Sequence, residues 1–192
     1  MIAGHFGFAA LVKSREKSTP LSVLMLASVW LDVVFVPLFL AGIETIQPIP
    51  NHSGYGAAII HADYTHSIVG MLVLSALLAA LCWPFWGLRS AAVVGLVAAS
   101  HWALDLIVHR ADLPILPGNF GHFPSLGFGL WRFPMVAAVI EASLVLLGAG
   151  FYWRAARSAS IQAKRGSTLA TAVAVLIAAC GLFVLALDVS SR

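Results

Sequence analysis

The sequence is short of charge. Of its 192 residues only 10% are Asp, Glu, Lys or Arg, against about 25% in an ordinary soluble domain. Hydrophobic residues make up 60%, and the mean hydropathy is +0.94. A chain with so little charge cannot cover a globule with solvated side chains, so water is not its main solvent. The formal net charge of +3 is spread over few basic residues and is too sparse for a nucleic-acid footprint, which excludes that partner. Cysteine is nearly absent: Cys82 and Cys180 lie far apart in apolar runs without a CxxC partner, which excludes a thiolate-rich metal site. Both read as small buried hydrophobes. No basic stretch precedes the first apolar run, Met1 to Val12; Lys13, Arg15 and Lys17 follow it, and no small-residue cleavage site appears. That order is the reverse of a secretory signal, so the segment reads as part of the mature chain. No internal repeat, low-complexity tract or soluble domain interrupts the sequence.

What is present is a series of long apolar runs. The expected fold is all-α, a polytopic transmembrane helix bundle forming one integral membrane domain over 1–192, its partner the lipid bilayer. Five spans are expected, at 20–43, 62–86, 88–109, 128–154 and 167–188, because each run is long enough for about 30 Å of hydrocarbon. Met1 to Val12 is too short to cross and reads as an N-terminal half-helix, either dipping into the bundle or lying flat at the interface. Pro37 and Pro84 fall inside spans and predict kinks. Lys13, Arg15, Lys17, Arg89, Arg154, Arg157, Lys164 and Arg165 fall on one side, against Arg110, Arg132 and Arg192 on the other. The positive-inside rule then places the short basic connections in the cytoplasm and the Pro/Gly-rich loops 44–61 and 110–127 outside. The six tryptophans fall mostly near span ends, as an aromatic belt requires.

Against this background the segment 61–109 stands out. It opens with His61-Ala62-Asp63-Tyr64-Thr65-His66-Ser67 and closes with His101, Asp105 and His109. A carboxylate or cation at mid-membrane costs about 2.5 to 3.5 kcal/mol on insertion scales, so an intramembrane cluster implies function. At about 1.5 Å per residue, Asp32 and His101 both lie about 18 Å from the cytoplasmic ends of their spans. Asp105 and His109 follow His101 at i+4 and i+8 on one helix face. His66 begins the second span, so these residues converge in the outer half of the membrane. His5 reaches the same depth if the half-helix dips inward, and Glu141 is a further carboxylate that lipid would not tolerate. Imidazole with carboxylate is the donor set of a divalent metal, zinc foremost, with manganese or iron as alternatives. Carboxylates beside the histidines suit such a metal better than bis-histidine haem. Thr65 and Ser67 read either as holders of the histidine between them or as helix caps. His61 and Asp63 read either as site residues or as a polar loop entering a helix. His109 reads as interfacial as readily as ligating, and His52 and His122 read as solvated loop residues.

Gly4-His5, an aspartate in the first long span, His61-x3-Thr65-His66-Ser67 and Ser100-His101-x3-Asp105 occur in that order. The pattern resembles the bacterial inner-membrane metal-dependent hydrolase family described as LexA-binding, itself distantly related to zinc-dependent phospholipase C. The resemblance runs from residue 4 to about 117. It implies a bacterial inner-membrane location and His5, Asp32, His61, His66, His101 and Asp105 as metal ligands. This chain departs from the family at Val34, where the family has a second aspartate, and at Ala62 and Asp63, where it has Arg and Gly. The function expected is hydrolysis of a lipid or lipid-linked phosphoester, with Asp63 or Glu141 as catalytic proton acceptor. Two other readings use the same cluster: a non-catalytic subunit assembled with partner membrane subunits, and an ion or metal carrier.

Overall fold

The computed structural model describes residues 1–52, 54, 56–164 and 166–190. Arg165 and Arg192, used above to assign sidedness, lie outside the described residues. In chain order the elements are α1 (Ile2–Lys13), α2 (Leu21–Ser28), α3 (Trp30–Leu40), β1 (Thr45–Pro48), β2 (Ala58–His61), α4 (Ile68–Val108), α5 (Pro134–Gln162) and α6 (Thr168–Ser190). The fold is helical apart from the two short strands, which pair antiparallel with Thr45 opposite His61 and Pro48 opposite Ala58. The all-α expectation therefore needs one correction: within the loop 44–61, residues 45–48 and 58–61 pair as β-strands. Its backbone groups leave the helical region between two apolar helices and satisfy each other across a ladder, as buried or interfacial backbone must.

Three helices, α4, α5 and α6, are long and apolar enough to cross a membrane, and α2 with α3 makes a fourth if the bent pair is taken as one span. The expected count of five is not reached in these terms, because the first run is bent and the second and third are joined in one element. The first run is broken: α2 and α3 meet at 52°, with Val29 at φ −121°, ψ 19°. The break falls eight residues before Pro37, which sits inside α3 without ending it. The second and third runs are joined within α4 as two helical arms that break at Gly87, whose φ of 75° and ψ of 168° no L side chain adopts readily. Pro84 lies three residues before that point. A side-chain carbon placed on Gly95 would be 3.1 Å from the methyl of Ala79 and 3.2 Å from the carbonyl oxygen of Ser75. In a straight helix residues 75 and 95 are about 30 Å apart. α4 is therefore a helical hairpin that reverses at Gly87 and lays 88–108 back along 68–86.

α1 does not lie flat. It buries Ala3, Gly4, His5, Gly7, Ala9 and Ala10 and packs along α5, with further contacts to α2, α6 and α4. Small residues permit this: a side-chain carbon on Gly148 would fall 2.0 Å from the Gly7 carbonyl oxygen, so the two backbones touch. Three packed clusters hold the rest, around Leu24, Val94 and Val97; around Leu31, Met71 and Trp102; and around Ala3, Val145 and Leu185. Large apolar side chains such as Leu40, Leu88, Leu96 and Leu169 face outward, as lipid contact requires. Cys82 is buried as expected, whereas Cys180 is on the exposed side of α6. Trp102 departs from the belt reading: it is buried, and its indole N–H donates to the His66 carbonyl at 2.7 Å, tying the open ends of the α4 hairpin.

Candidate metal centre

The hairpin brings its two ends together, and those ends carry the histidines. His66 sits just ahead of α4. Ser67 caps that helix, accepting from the Gly70 N–H at 2.9 Å and donating to the Tyr64 carbonyl at 3.0 Å. The close approach of the Tyr64 carbonyl leaves no room for a side chain on Gly70. His101 and Asp105 project from the return arm one turn apart, and Asp32 from the first turn of α3.

The histidine tautomers follow from their neighbours. The Nδ1 of His101 is 2.8 Å from the Ser28 carbonyl oxygen, at the α2/α3 break. A carbonyl only accepts, so Nδ1 carries the hydrogen and Nε2 is the nitrogen turned into the site, where the neutral ring offers its lone pair. The Thr65 hydroxyl lies 3.0 Å from both oxygens of the buried Glu44 carboxylate, which also accepts from the Tyr64 and Thr65 N–H groups at 2.9 and 2.8 Å. Its one proton goes to that carboxylate, so its oxygen accepts from Nδ1 of His66 at 2.9 Å. The Nε2 of His66 is then likewise the nitrogen turned into the site. These two nitrogens are 3.2 Å apart. Two facing lone pairs repel unless a proton or a cation lies between them.

Carboxylate oxygens complete the group. Asp32 Oδ1 is 3.5 Å from each of the two Nε2 atoms. Asp105 Oδ2 is 3.1 Å from His101 Nε2 and 3.9 Å from His66 Nε2. Zinc bonds to nitrogen and oxygen at about 2.0 to 2.2 Å, so two ligands of one ion lie between about 3.0 and 4.2 Å apart, depending on the angle. All of these separations fall in that range. Two overlapping groups, Asp32 with His66 and His101, and His5 with His101 and Asp105, have ligand atoms close enough to share an ion. His101 belongs to both.

His5 reaches the site because α1 enters the bundle. Its Nε2 is 3.2 Å from Asp105 Oδ1, its ring stacks on His101 with centroids 3.9 Å apart, and its buried Nδ1 has no hydrogen-bond partner among the described residues. Asp105 is thus gripped from both arms of its carboxylate. A cavity of about 320 Å³ reaches this cluster; Asp32, His66, Asp105 and His109 form its polar part, and Phe35, Val36, Ile46 and Ile60 are among its apolar walls.

Of the expected ligands the structure brings His5, Asp32, His66, His101 and Asp105 together. His61 is not with them: it ends β2 and its Nε2 lies 3.2 Å from the Gln47 side chain across the hairpin. The two expected catalytic carboxylates also stand apart from the cavity lining. Asp63 lies in the turn before α4, its carbonyl accepting from the Gly118 N–H at 2.9 Å. Glu141 is buried on α5 and accepts from the Gly4 N–H at 2.9 Å, one of the four N–H groups that the start of α1 leaves unpaired. It holds the half-helix in place. Sequence reasoning missed Glu44, whose position after the first apolar run suggested only the end of a span. It left His109 open, although the spacing to Asp105 was visible. The Thr65/Ser67 alternative resolves with one residue in each role.

Comparison with protein-family models, with curated proteins and with solved structures finds no match to this chain.

Proposed function

We propose that the chain is a membrane-embedded metal-dependent hydrolase, acting on a phosphoester carried by a lipid or lipid-linked molecule. The observation that carries this reading is the pair of facing imidazole nitrogens 3.2 Å apart, with Asp32 and Asp105 carboxylates around them. His66, His101, Asp32 and Asp105 would hold the ion, with zinc the best fit to this donor set and manganese or iron next. A divalent cation supplies a Lewis acid and lowers the pKa of a coordinated water toward about 7.

The protein's own residues do the rest. The Ser28 carbonyl and the Glu44-Thr65 pair fix both histidines with their ligating nitrogens inward, so no reorganisation is needed when the ion or substrate arrives. Phe35, Val36, Ile46 and Ile60 give the cavity apolar walls that match an acyl or isoprenoid chain beside a polar head. Asp32 is partly exposed, its side chain at 38%, on a helix whose other exposed side chains, Val33, Val36, Pro37, Phe39 and Leu40, are apolar. The site therefore opens beside a lipid-facing flank. The crossing number also belongs to this reading: 68–86 and 88–108 are each about 30 Å long, enough for one crossing apiece. With α2/α3, α5 and α6 that makes five, and sidedness from the basic residues puts the site toward the outer half of a bacterial inner membrane. The motif order shared with the inner-membrane metal-dependent hydrolases supports the same reaction class.

The test is elemental mass spectrometry on detergent-purified protein, followed by turnover of phosphoester lipids. Wild type should carry metal near stoichiometry, His66→Ala and Asp105→Asn should lose it, and only the metal-replete wild type should release product. Turnover equal in wild type and His66→Ala would sink the hydrolase reading.

A further inference from the structure

His109 lies outside the four ligands named above, yet its geometry repeats theirs. Its Nδ1 is 3.0 Å from Asp112 Oδ1, and both side chains are largely buried. An ionised carboxylate only accepts, so Nδ1 carries the hydrogen and Nε2 is the nitrogen turned toward Asp105, as in His66 and His101. That Nε2 is 3.9 Å from Asp105 Oδ2, the same separation as His66 Nε2 from the same oxygen. Three imidazoles, each with its outer nitrogen committed to an acceptor, thus turn their Nε2 atoms toward one carboxylate oxygen. A carboxylate behind a histidine is the arrangement that orients a metal-bound imidazole and raises its basicity. His109 also lines the cavity, and its ring packs on Trp131 with centroids 4.3 Å apart, which holds its plane.

We propose that His109, oriented by Asp112, is a third imidazole ligand of the metal centre, closing it on the cavity side. This rests on the metal reading above. The ligands then come from α3, from the turn before α4 and from three successive turns of the return arm, and the loop after α4 is tied to the ion through Asp112. At about 2.1 Å from a common ion, an Nε2 to Oδ2 distance of 3.9 Å corresponds to a wide ligand-metal-ligand angle, still within the 4.2 Å limit.

The experiment loads the full chain in detergent with Co2+ and measures affinity by the visible absorption of the bound ion and the number of bound imidazoles by X-ray absorption. Wild type should show three imidazoles. His109→Ala should show two and bind Co2+ at least about tenfold more weakly, and Asp112→Asn should keep three with an affinity about 10- to 100-fold lower. Helical circular dichroism of the metal-free variants, with His109→Gln as a gentler second substitution, separates lost ligation from lost folding. Two imidazoles in wild type, or an unchanged count and affinity in folded His109→Ala and His109→Gln, overturns the proposal. Failure of wild type to bind Co2+ overturns it together with the metal reading. Bound Co2+ without phosphoester turnover leaves three imidazoles standing and removes only the hydrolase.

Discussion

At the scale of single residues, the geometry of the cluster is decided by groups outside it. An imidazole has two nitrogens, and it ligates with the one its surroundings leave free. Thr65 makes that choice for His66 because Glu44 takes its only proton. Replacing Thr65 with Val keeps the volume but removes the acceptor for Nδ1. Zinc affinity in Thr65→Val should drop about 10- to 100-fold, or about 1.4 to 2.7 kcal/mol, by competition against a chromophoric chelator. An unchanged affinity would show that Thr65 only seats the start of the helix. The histidines and aspartates of this cluster were legible in the sequence because ionisable groups are conspicuous in apolar runs. Their supporting residues were not. Ser28 acts through a backbone carbonyl, which every residue has, and Glu44 is remote in sequence from His66, so neither leaves a local pattern. His61 misled for the converse reason: its residue type and spacing suit a ligand, but strand pairing with Thr45 directs it to the hairpin.

At the scale of elements, two glycine-dependent features position everything else. The reversal at Gly87 lets 68–86 and 88–108 pair, and the contact of Gly7 with Gly148 lets α1 enter the bundle far enough for His5 to reach Asp105. A side chain on Gly148 has nowhere to go, because it meets backbone, which cannot swing aside as a flexible side chain can. Gly148→Ala should displace α1 from α5, at a cost of about 1 to 3 kcal/mol typical of overpacking. The checks are a lower melting temperature in detergent and faster maleimide labelling of a cysteine at position 10, now fully buried as Ala10. Labelling as slow as in the Gly148 parent would show that α1 tolerates the separation. Helix identity was readable from run length, but the break at Val29 was not, since no proline or glycine marks it and Pro37 drew attention to the wrong turn.

At the scale of the whole molecule, sidedness was read from basic residues, and the structure adds which end the cluster occupies. Lys13 lies at the far end of α1 from His5, and the reversal at Gly87 lies at the closed end of the α4 hairpin, away from His66 and His101. With the basic connections inside, single cysteines at Asn119 and Ser158 should label oppositely in sealed cells. Position 119 should react with a membrane-impermeant maleimide directly, and position 158 only after permeabilisation. The reverse pattern would put the cluster toward the cytoplasmic half. The loop 44–61 was expected to be irregular, and its strands escaped notice because two four-residue segments flanked by Pro and Gly carry too short an alternation to read.

The α4 hairpin is closed at one end by the chain itself, at Gly87, and at the other by side chains that converge on Asp105 and by the Trp102 bond to the His66 carbonyl. Were the loop beyond His109 pulled away from the membrane, the return arm would have to shed its ligands before any turn of it could peel from its neighbour. Such an ion would act as a latch as well as a reagent: chelation should lower the force at which this hairpin is extracted, while leaving α5 and α6 as firmly seated as before.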